Sequence, residues 1–572
     1  MRAMVIGRGK VTLAGRLLLV FALLLAGCGG DETSAPDEQA EETPSDEQGE
    51  EQPADAPTSV ERVRLAGLRG FGYPSPFAWV RGPGWLVTGY VFDTLLWEDE
   101  TGEPIPWLAQ EWEESDDGLE WRFTLHEDAV WHDGEPLTAD DVVFSAEYMT
   151  EGPGADAAGF ASRGLSVVDE VVAEGPRDVV FRLSRPSASF EEEVAMSFLV
   201  VPQHIWADEG DPAKLRGPEA TMGSGPYRLE SVDEANGTLL FTANEDFYLG
   251  APVVKRVEFV PAEDELLALQ RGELDAAEVA SEQAVPEALL DALEEDPRVG
   301  RADAEGSWNR MLFFNLAQGF PFDDVRFRHA VAYGIDREDL VERIMFGRAK
   351  VGSAGGLAPN NPFLADGLPT YGHDPAQAQE LLDDLGMADT DGDGFREVHD
   401  GTPFRPQLLD SNRFSANTPE LIKEYLREIG IDLQINILDQ AAADEAAAQG
   451  DYGMALVGFG GIMGDPDTLR TRYGSDARGS SFNRAHGYSN PTFDELAQQQ
   501  QVTVDRDERK ELVSQMQEII AEDLPTLSLY VPDDTVFFNR EVLENWYFTP
   551  GCSPCGGTRN KHLFLTGEKM GY

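Results

Sequence analysis

Basic residues are scarce in this 572-residue chain. Lys and Arg together number 44 against 105 Asp and Glu, for a formal net charge of −61. Such a surface repels nucleic acid and anionic membranes, which counts against both as direct binding partners. High salt screens the self-repulsion, so solubility in a halophilic setting is the simplest use of the charge; an acidic secreted protein is the other reading. Cysteine is limited to three residues and histidine to eight. The histidines (positions 126, 132, 204, 329, 373, 399, 486 and 562) form neither a His-Glu-x-x-His motif nor a pair at metal-ligand spacing. A Gly-x-Ser-x-Gly elbow and a Walker loop are missing as well. With acids this abundant, paired carboxylates carry no signal, and the chain reads as a protein that makes and breaks no bond.

The stretch from Trp107 to Met149 is the most legible part of what is there. Trp121, Phe123 and Leu125 alternate with Glu120, Arg122 and Thr124, the period-2 pattern of a half-buried strand. Asp116-Asp117-Gly118 and Asp133-Gly134 mark turns. Thr138 stands three residues ahead of Asp141, a capping-box spacing, and Val142, Ala146 and Met149 then predict the inward stripe of a helix. His132 beside Asp133 reads as a satisfied turn histidine. The segment "LAQEWEESDDGLEWRFTL" through "WHDGEPLTADDVVFS" resembles the family 5 extracellular solute-binding proteins of ABC importers, the peptide- and nickel-binding type.

Further stretches are similar to the same family: "GSGPY" with "NEDFYLGAP", the helix-Gly pattern of DELLALQRGELDAAEV, and PFDDVRFRHAVAYGIDREDLVERIMFGRA, a helix pair with Ala330, Tyr333, Leu340 and Ile344 inward. The resemblance continues through HDPAQAQELLDDLG, IKEYLREIGIDLQINIL, DYGMALVGFG and a helix over Arg506–Asp523, and covers about residues 60 to 550. It implies an α/β fold of two lobes, periplasmic-binding-protein-like (type II, cluster C), with solute enclosed between them. The implied division is lobe 1 over 60–305, with an extra subdomain near 90–220, lobe 2 over 306–532, and a 533–572 segment returning to lobe 1.

At the N-terminus, basic residues precede an apolar run from Leu17 to Ala26, too short to span a bilayer and suited to a signal-peptide core. Leu25-Ala26-Gly27-Cys28 looks like a bacterial lipobox, which implies residues 1–27 as signal peptide, Cys28 as the lipidated N-terminus, and anchoring at the outer face of the cell membrane. Residues 28–59 lack large apolar side chains and predict a disordered acidic tether. Cys552 and Cys555 remain as an even pair, for which a disulfide is expected and a redox or half-zinc site is the alternative.

Three segments are candidates for contact with solute. Tyr73, Phe77 and Trp79 lie on a Gly/Pro-rich loop, where aromatics do not easily become core; capping a hydrophobic edge is the other reading. Trp308, Asn309 and Arg310 open a strand, and Gly-rich GFGGIMGDPDTLRTRY follows another, with Phe459, Ile462 and Asp465 as candidates. In peptide-binding relatives the matching segment presents an Asp to the peptide ammonium. Here Ile462 falls at that position, and an apolar side chain cannot compensate a buried ammonium. Either Asp465 takes the role in a shifted register, or the ligand has no free α-amine. A separate Asp-x-Asp-x-Asp-Gly loop (Asp389, Asp391, Asp393, with Asp400 twelfth) fits a structural Ca²⁺ site or a solvated acidic turn. No other cofactor is implied. The resemblance makes the expected function delivery of peptides to a membrane permease by a monomeric receptor. Oligosaccharide and then nickel follow as cargo, and a sensor module or a hydrolase on the same fold are the readings from other classes.

Overall fold

Alternation along Glu120–Leu125 does what the pattern requires: Trp121, Phe123 and Leu125 are buried while their neighbours are partly exposed. This strand pairs antiparallel with Ala109–Glu114, Trp112 opposite Phe123, and the hairpin joins Asp178–Leu183 and Val168–Ala173 in a four-stranded sheet. The capped helix runs Ala139–Thr150; Asp141 Oδ2 accepts from the Thr138 backbone N–H at 3.0 Å, and Val142, Ala146 and Met149 are buried. The computed structural model describes residues 59–567 apart from 68, 71, 80–81, 100–102, 163, 280–284, 305, 307, 413–416, 461–463, 476–486 and 549–560. The expectations for residues 1–58, Cys28, Cys552, Cys555 and Ile462 lie outside the described residues.

The fold is mixed α/β in two lobes. Lobe 1 holds the sheet above, a second four-stranded sheet (Val63–Ala66, Arg256–Val260, Thr238–Ala243, Tyr227–Asp233) and a three-stranded one (Ala276–Glu278, Asp534–Asn539, Val299–Ala304). One large core, with Trp107, Phe123, Trp131, Trp206 and Phe259, lies among them. Lobe 2 is built on a six-stranded sheet in the order Ala349–Val351, Thr526–Pro532, Trp308–Phe314, Met454–Gly460, Gln407–Ser411, Gln434–Leu438. Its central strand is covered on both faces. Leu312 and Phe314 enter a core shared with Val331 and Ile422, and Met311 and Phe313 meet Ala443 and Ala447. Near-continuous burial of WNRMLFF follows, at about 1.5–3 kcal/mol for each large apolar side chain.

The sequence GYVFDTLLW, Gly89–Trp97, is helix-like but forms no helix; the helix lies upstream, at Gly82–Thr88. The reason is tertiary. The carbonyls of Tyr90 and Val91 accept from Tyr227 and Gly225, so they are not available to a helix. The "GSGPY" motif serves this contact, since a Cβ on Gly223 would sit 1.9 Å from the Val91 oxygen.

The chain passes between lobes twice. Val299–Ala304 belongs to the three-stranded sheet and Trp308–Phe314 to the six-stranded one; on the return, Thr526–Pro532 leads directly into Asp534–Asn539. The two crossings touch. A Cβ on buried Gly306 would lie 1.7 Å from the Pro532 carbonyl oxygen, an approach that only glycine permits. Gly306→Ala is expected to force the crossings apart, at about 1–3 kcal/mol of overpacking strain. Urea unfolding of the variant tests this, and an unchanged midpoint would show that the crossings are not in tight contact.

The C-terminal helix Lys561–Thr566 returns to lobe 1, with Leu563, Phe564 and Leu565 in its core. Lys561 Nζ sits 4.4 Å from the ring centroids of both Trp97 and Trp107 and 3.7 Å from Asp93 Oδ1. Asp93 also accepts from Trp107 Nε1 and Ser224 Oγ, each at 2.8 Å. Burial lowers the Lys561 pKa to about 8, against the pull of Asp93. Since the folded pKa lies below that of the unfolded chain, the unfolded state holds the extra proton in between. The contribution of Lys561 to stability therefore rises as pH increases from about 8 towards 10.5. Unfolding at pH 7.5 and 9.5 should show this gain in the parent and not in Lys561→Met; parallel curves would refute it.

Candidate functional site

Three parallel strands of lobe 2, Gln407–Ser411, Gln434–Leu438 and Met454–Gly460, end at one edge of the sheet. Trp308–Phe314, antiparallel to Met454–Gly460, begins at that edge, and Thr526–Pro532 ends there. Carboxyl ends of parallel strands are where open α/β sheets bind ligands. Here the same edge carries both crossings to lobe 1, so anything held there lies at the junction of the lobes.

The edge is unusually polar for buried surface. On one face, fully buried Arg310 lies opposite Gly458 and Tyr530, and its Nη2 donates to Asp410 Oδ1 at 2.6 Å. Asp410 Oδ1 also accepts from the Ser411 N–H at 2.8 Å. Burial pushes the Asp410 pKa up and the Arg310 charge opposes it. Tyr530 and Thr418 hydroxyls meet at 3.3 Å on this side. On the other face Asn309 lies opposite Phe459, and its Nδ2 donates to Ser528 Oγ at 3.0 Å. Phe459 stacks on Phe313 at 5.6 Å, and the Arg472 guanidinium lies 4.6 Å from the Phe459 ring centroid.

Trp308–Arg310 and Phe459, proposed from sequence as separate segments, are thus hydrogen-bonded neighbours. Asp465 has a different setting. Arg509 grips its carboxylate with two hydrogen bonds of 2.7 and 2.6 Å. Its backbone N–H donates to Glu192 Oε2 of lobe 1 at 2.7 Å. Ala188 and Gln501 extend this bridge through Ala188 N–H to Gln501 O at 2.9 Å, and Arg509 Nη1 donates to the Ala188 carbonyl at 3.1 Å. Asp465 is therefore part of a direct contact between lobes, its carboxylate already matched by an internal cation.

Tyr73 and Phe77 are 5 % and 3 % exposed within lobe 1. Tyr73 bonds through its hydroxyl to Gly217 and carries Arg216 over its ring at 5.0 Å; Phe77 meets Trp206 and Tyr148 edge-on at 4.9 and 5.5 Å. Trp79, partly buried, donates to the Pro76 carbonyl. Contrary to the expectation from its composition, this Gly/Pro-rich loop does supply core aromatics. The loop folds back on itself through Tyr73 N–H to Ala78 O and Ser75 N–H to Tyr73 O, which satisfies its backbone and lets its rings pack.

In the acidic loop, Asp389, Asp391 and Asp393 gather with Glu397, their oxygens within 4.8 Å of one another. Asp400 is not in this group; its Oδ1 accepts from the Thr402 N–H at 2.9 Å and closes its own turn. The gathered carboxylates are taken up by loop donors: Asp389 by Gly392 and Gly394, Asp391 by the Asp393 N–H, Asp393 by Phe395, and Glu397 by Thr390. These bonds account for the loop as a turn. His132 is scaffold too, its Nε2 3.0 Å from the Gly225 carbonyl.

Sequence reasoning missed Arg472, Asp410, Ser528, Glu192 and Arg509. Arginine inside a segment that packs is the signal that could have found Arg472, because guanidinium groups are almost never buried without purpose. No comparable signal marks Asp410 or Glu192 among so many acids.

Comparison with known proteins places this geometry in context. The model for "Bacterial extracellular solute-binding proteins, family 5 Middle" matches residues 103–481. A probable di/tripeptide-binding protein 5 of Pseudomonas aeruginosa is 28% identical over 466 residues, 77% of this chain and 84% of that protein. Among solved structures, NikZ from Campylobacter jejuni in complex with Ni(L-His) aligns with a TM-score of 0.75 at 22% identity, over 89% of this chain and 99% of that one. The oligopeptide-binding protein AppA from Bacillus subtilis, in complex with a nonapeptide, gives 0.74 at 21%, over 87% and 98%.

The bridge between lobes carries a pH dependence. Burial, and then the negative charge of Asp465, raise the pKa of Glu192 in the bridged arrangement, with Arg509 opposing. A carboxyl freed by separation of the lobes returns to its ordinary range. Closure therefore takes up a proton and is favoured as pH falls through the raised value. In the unliganded protein, the radius of gyration from X-ray scattering should grow between pH 5 and 8.5. Glu192→Gln, neutral at every pH yet still able to accept from Asp465, should flatten that trend; a slope equal to the parent's would remove Glu192 as its source.

Proposed function

The chain belongs to the bacterial extracellular solute-binding proteins of family 5, and from that premise we propose that it is the lipid-anchored receptor of an ABC importer, capturing peptide-like solutes between its lobes for a membrane permease. The observation that carries this reading is the polar edge of the lobe 2 sheet, where Trp308–Arg310 and Phe459 stand at both crossings into lobe 1. A solute seated there touches both lobes only when they are closed, so binding shifts the population towards closure and no bond is made or broken. No helix among the described residues is long and apolar enough to cross a membrane. In this reading attachment comes from the lipid on Cys28, with residues 28–59 as the tether. Peptides rank first because the Pseudomonas and Bacillus relatives are named for di/tripeptide and oligopeptide binding.

A second cargo is favoured by one observation. Asp465 is held by Arg509, so it is not free to receive a peptide ammonium, and Ile462 offers no charge. An unpaired ammonium buried there costs several kcal/mol. Peptides blocked at the amine, or oligosaccharides, avoid that cost.

Thermal-shift measurements on the purified protein with free and N-acetylated di- to pentapeptides, cello- and malto-oligosaccharides, and Ni²⁺ with histidine test both readings. A true solute at roughly 100 times its Kd stabilises the folded state by about 2.7 kcal/mol. The expected outcome is a rise in Tm with blocked peptides above that with free ones. Stronger binding of free peptides, abolished by Asp465→Ala, would restore Asp465 as the ammonium acceptor.

A further inference from the structure

Among the described residues, lobe 2 buries five arginines: Arg310, Arg328, Arg337, Arg472 and Arg509. Four of them meet an anion or a set of backbone carbonyls. Arg310 pairs with Asp410 and Arg509 with Asp465. Arg328 donates to the carbonyls of Phe322, Asp523 and Leu524, where it closes the end of the Arg506–Asp523 helix. Arg337 donates to the carbonyls of Gly352, Ser528 and Thr370.

Arg472 differs. It is 2 % exposed; its Nη1 donates to the Gly356 carbonyl at 3.2 Å and meets the Met311 sulfur at 3.8 Å, its Nη2 reaches the Gly460 carbonyl at 3.5 Å, and the Tyr473 ring centroid lies 6.0 Å from the guanidinium. Its Nε is buried without a hydrogen-bond partner, and among the described residues no Asp or Glu pairs with it. A guanidinium offers five donors, and leaving a buried cation without an anion is among the costliest arrangements a fold can hold. Contact with the Phe459 face offsets part of that cost. A second buried group points the same way. Asn309, opposite Phe459 on the same face, has its Oδ1 buried without a partner, while its other terminus is held by Ser528. Amide oxygen and nitrogen exchange places by a flip, so Asn309 can turn an N–H towards an anion, with Ser528 then donating to it.

We propose that Arg472, seated on Phe459 with Asn309 the cross-strand neighbour of that ring, is the specificity-determining residue of the cleft, and that the solute presents a carboxylate to it. This rests on the solute-binding reading above and deepens it: the cargo is an acid lacking a free amine at the same end, such as an N-blocked peptide acid or an acid-terminated sugar. The two observations complement each other. Asp465, the one acid of Gly458–Asp465, is taken by Arg509, and among the described residues no carboxylate pairs with Arg472 beside that segment.

The test needs no variant to begin with. Isothermal titration of the full chain is run with matched pairs: N-acetyl-Ala-Ala and its C-terminal amide, N-acetyl-Ala-Ala-Ala and its amide, and cellobionate with cellobiose. Each acid is expected to bind about tenfold or more tightly than its neutral partner. Arg472→Gln should bring the ratio close to one, and Arg472→Lys should keep part of it, as a point charge without the fork. Neutral partners bound as tightly as the acids, or discrimination intact in folded Arg472→Gln, would overturn the proposal and leave the solute-binding reading in place. If no member of any pair binds, that reading fails and this inference fails with it. Should Arg472→Gln not fold, the acid-to-neutral ratio of the parent chain decides alone.

Discussion

Everything in this molecule that concerns solute depends on how the chain gets from one lobe to the other, and that is settled by contact of Gly306 with Pro532. A single added carbon at Gly306 would lie 1.7 Å from the Pro532 oxygen. Two crossings in such contact behave as one narrow connection, and proteins concentrate rotation at such places. Because both crossings leave from the same edge of the six-stranded sheet, the connection and the polar edge cannot be moved independently. Bending at Gly306 changes what faces Trp308, only two residues on, and Tyr530, two residues before Pro532.

Farther from this connection the lobes meet again, through Glu192, Ala188, Asp465, Gln501 and Arg509. These contacts are made of side chains and backbone already present, so closure has a favourable term before any solute arrives. It also has an opposing one, because closing pulls the Glu192 carboxyl out of water towards Asp465. A receptor of this kind requires that balance. If closure were strongly favoured without solute, binding would shift nothing; if strongly disfavoured, the solute's affinity would be reduced by the small fraction of competent molecules.

The parts of this fold that were legible in the sequence are those whose causes are local. Alternation in Glu120–Leu125, the Thr138–Asp141 cap and the stripe of Val142, Ala146 and Met149 each reflect a short-range rule, and each element forms where the rule puts it. Gly89–Trp97 carried a similar pattern and does not form a helix, because its carbonyls are used by Gly225 and Tyr227, more than a hundred residues away. The site divides in the same way. Asn309, Arg310 and Phe459 were visible because the first two open one strand and Phe459 lies in the Gly-rich segment that follows another. Glu397 in the acidic loop and Glu192 in the bridge were invisible because a chain with 105 acids gives no reason to choose one over another. Arg472 was missed because helical spacing in TLRTRY says nothing about which face is buried.

A chain of net charge −61 seems an unsuitable receptor for an acid only if the whole field is taken to act at the site. Exposed charges are screened within about 8–10 Å at moderate salt, whereas a pair formed in a cleft closed to water is screened far less. The two distances separate two tasks. Surface acidity acts on the approach of an anionic solute and slows it, to a degree that salt relieves. Arg472 acts only after arrival, over a few ångströms and in a medium of low polarity, where one guanidinium outweighs many distant carboxylates. At high salt the first effect fades and the second persists, so an acidic surface does not prevent the cleft from selecting an anion.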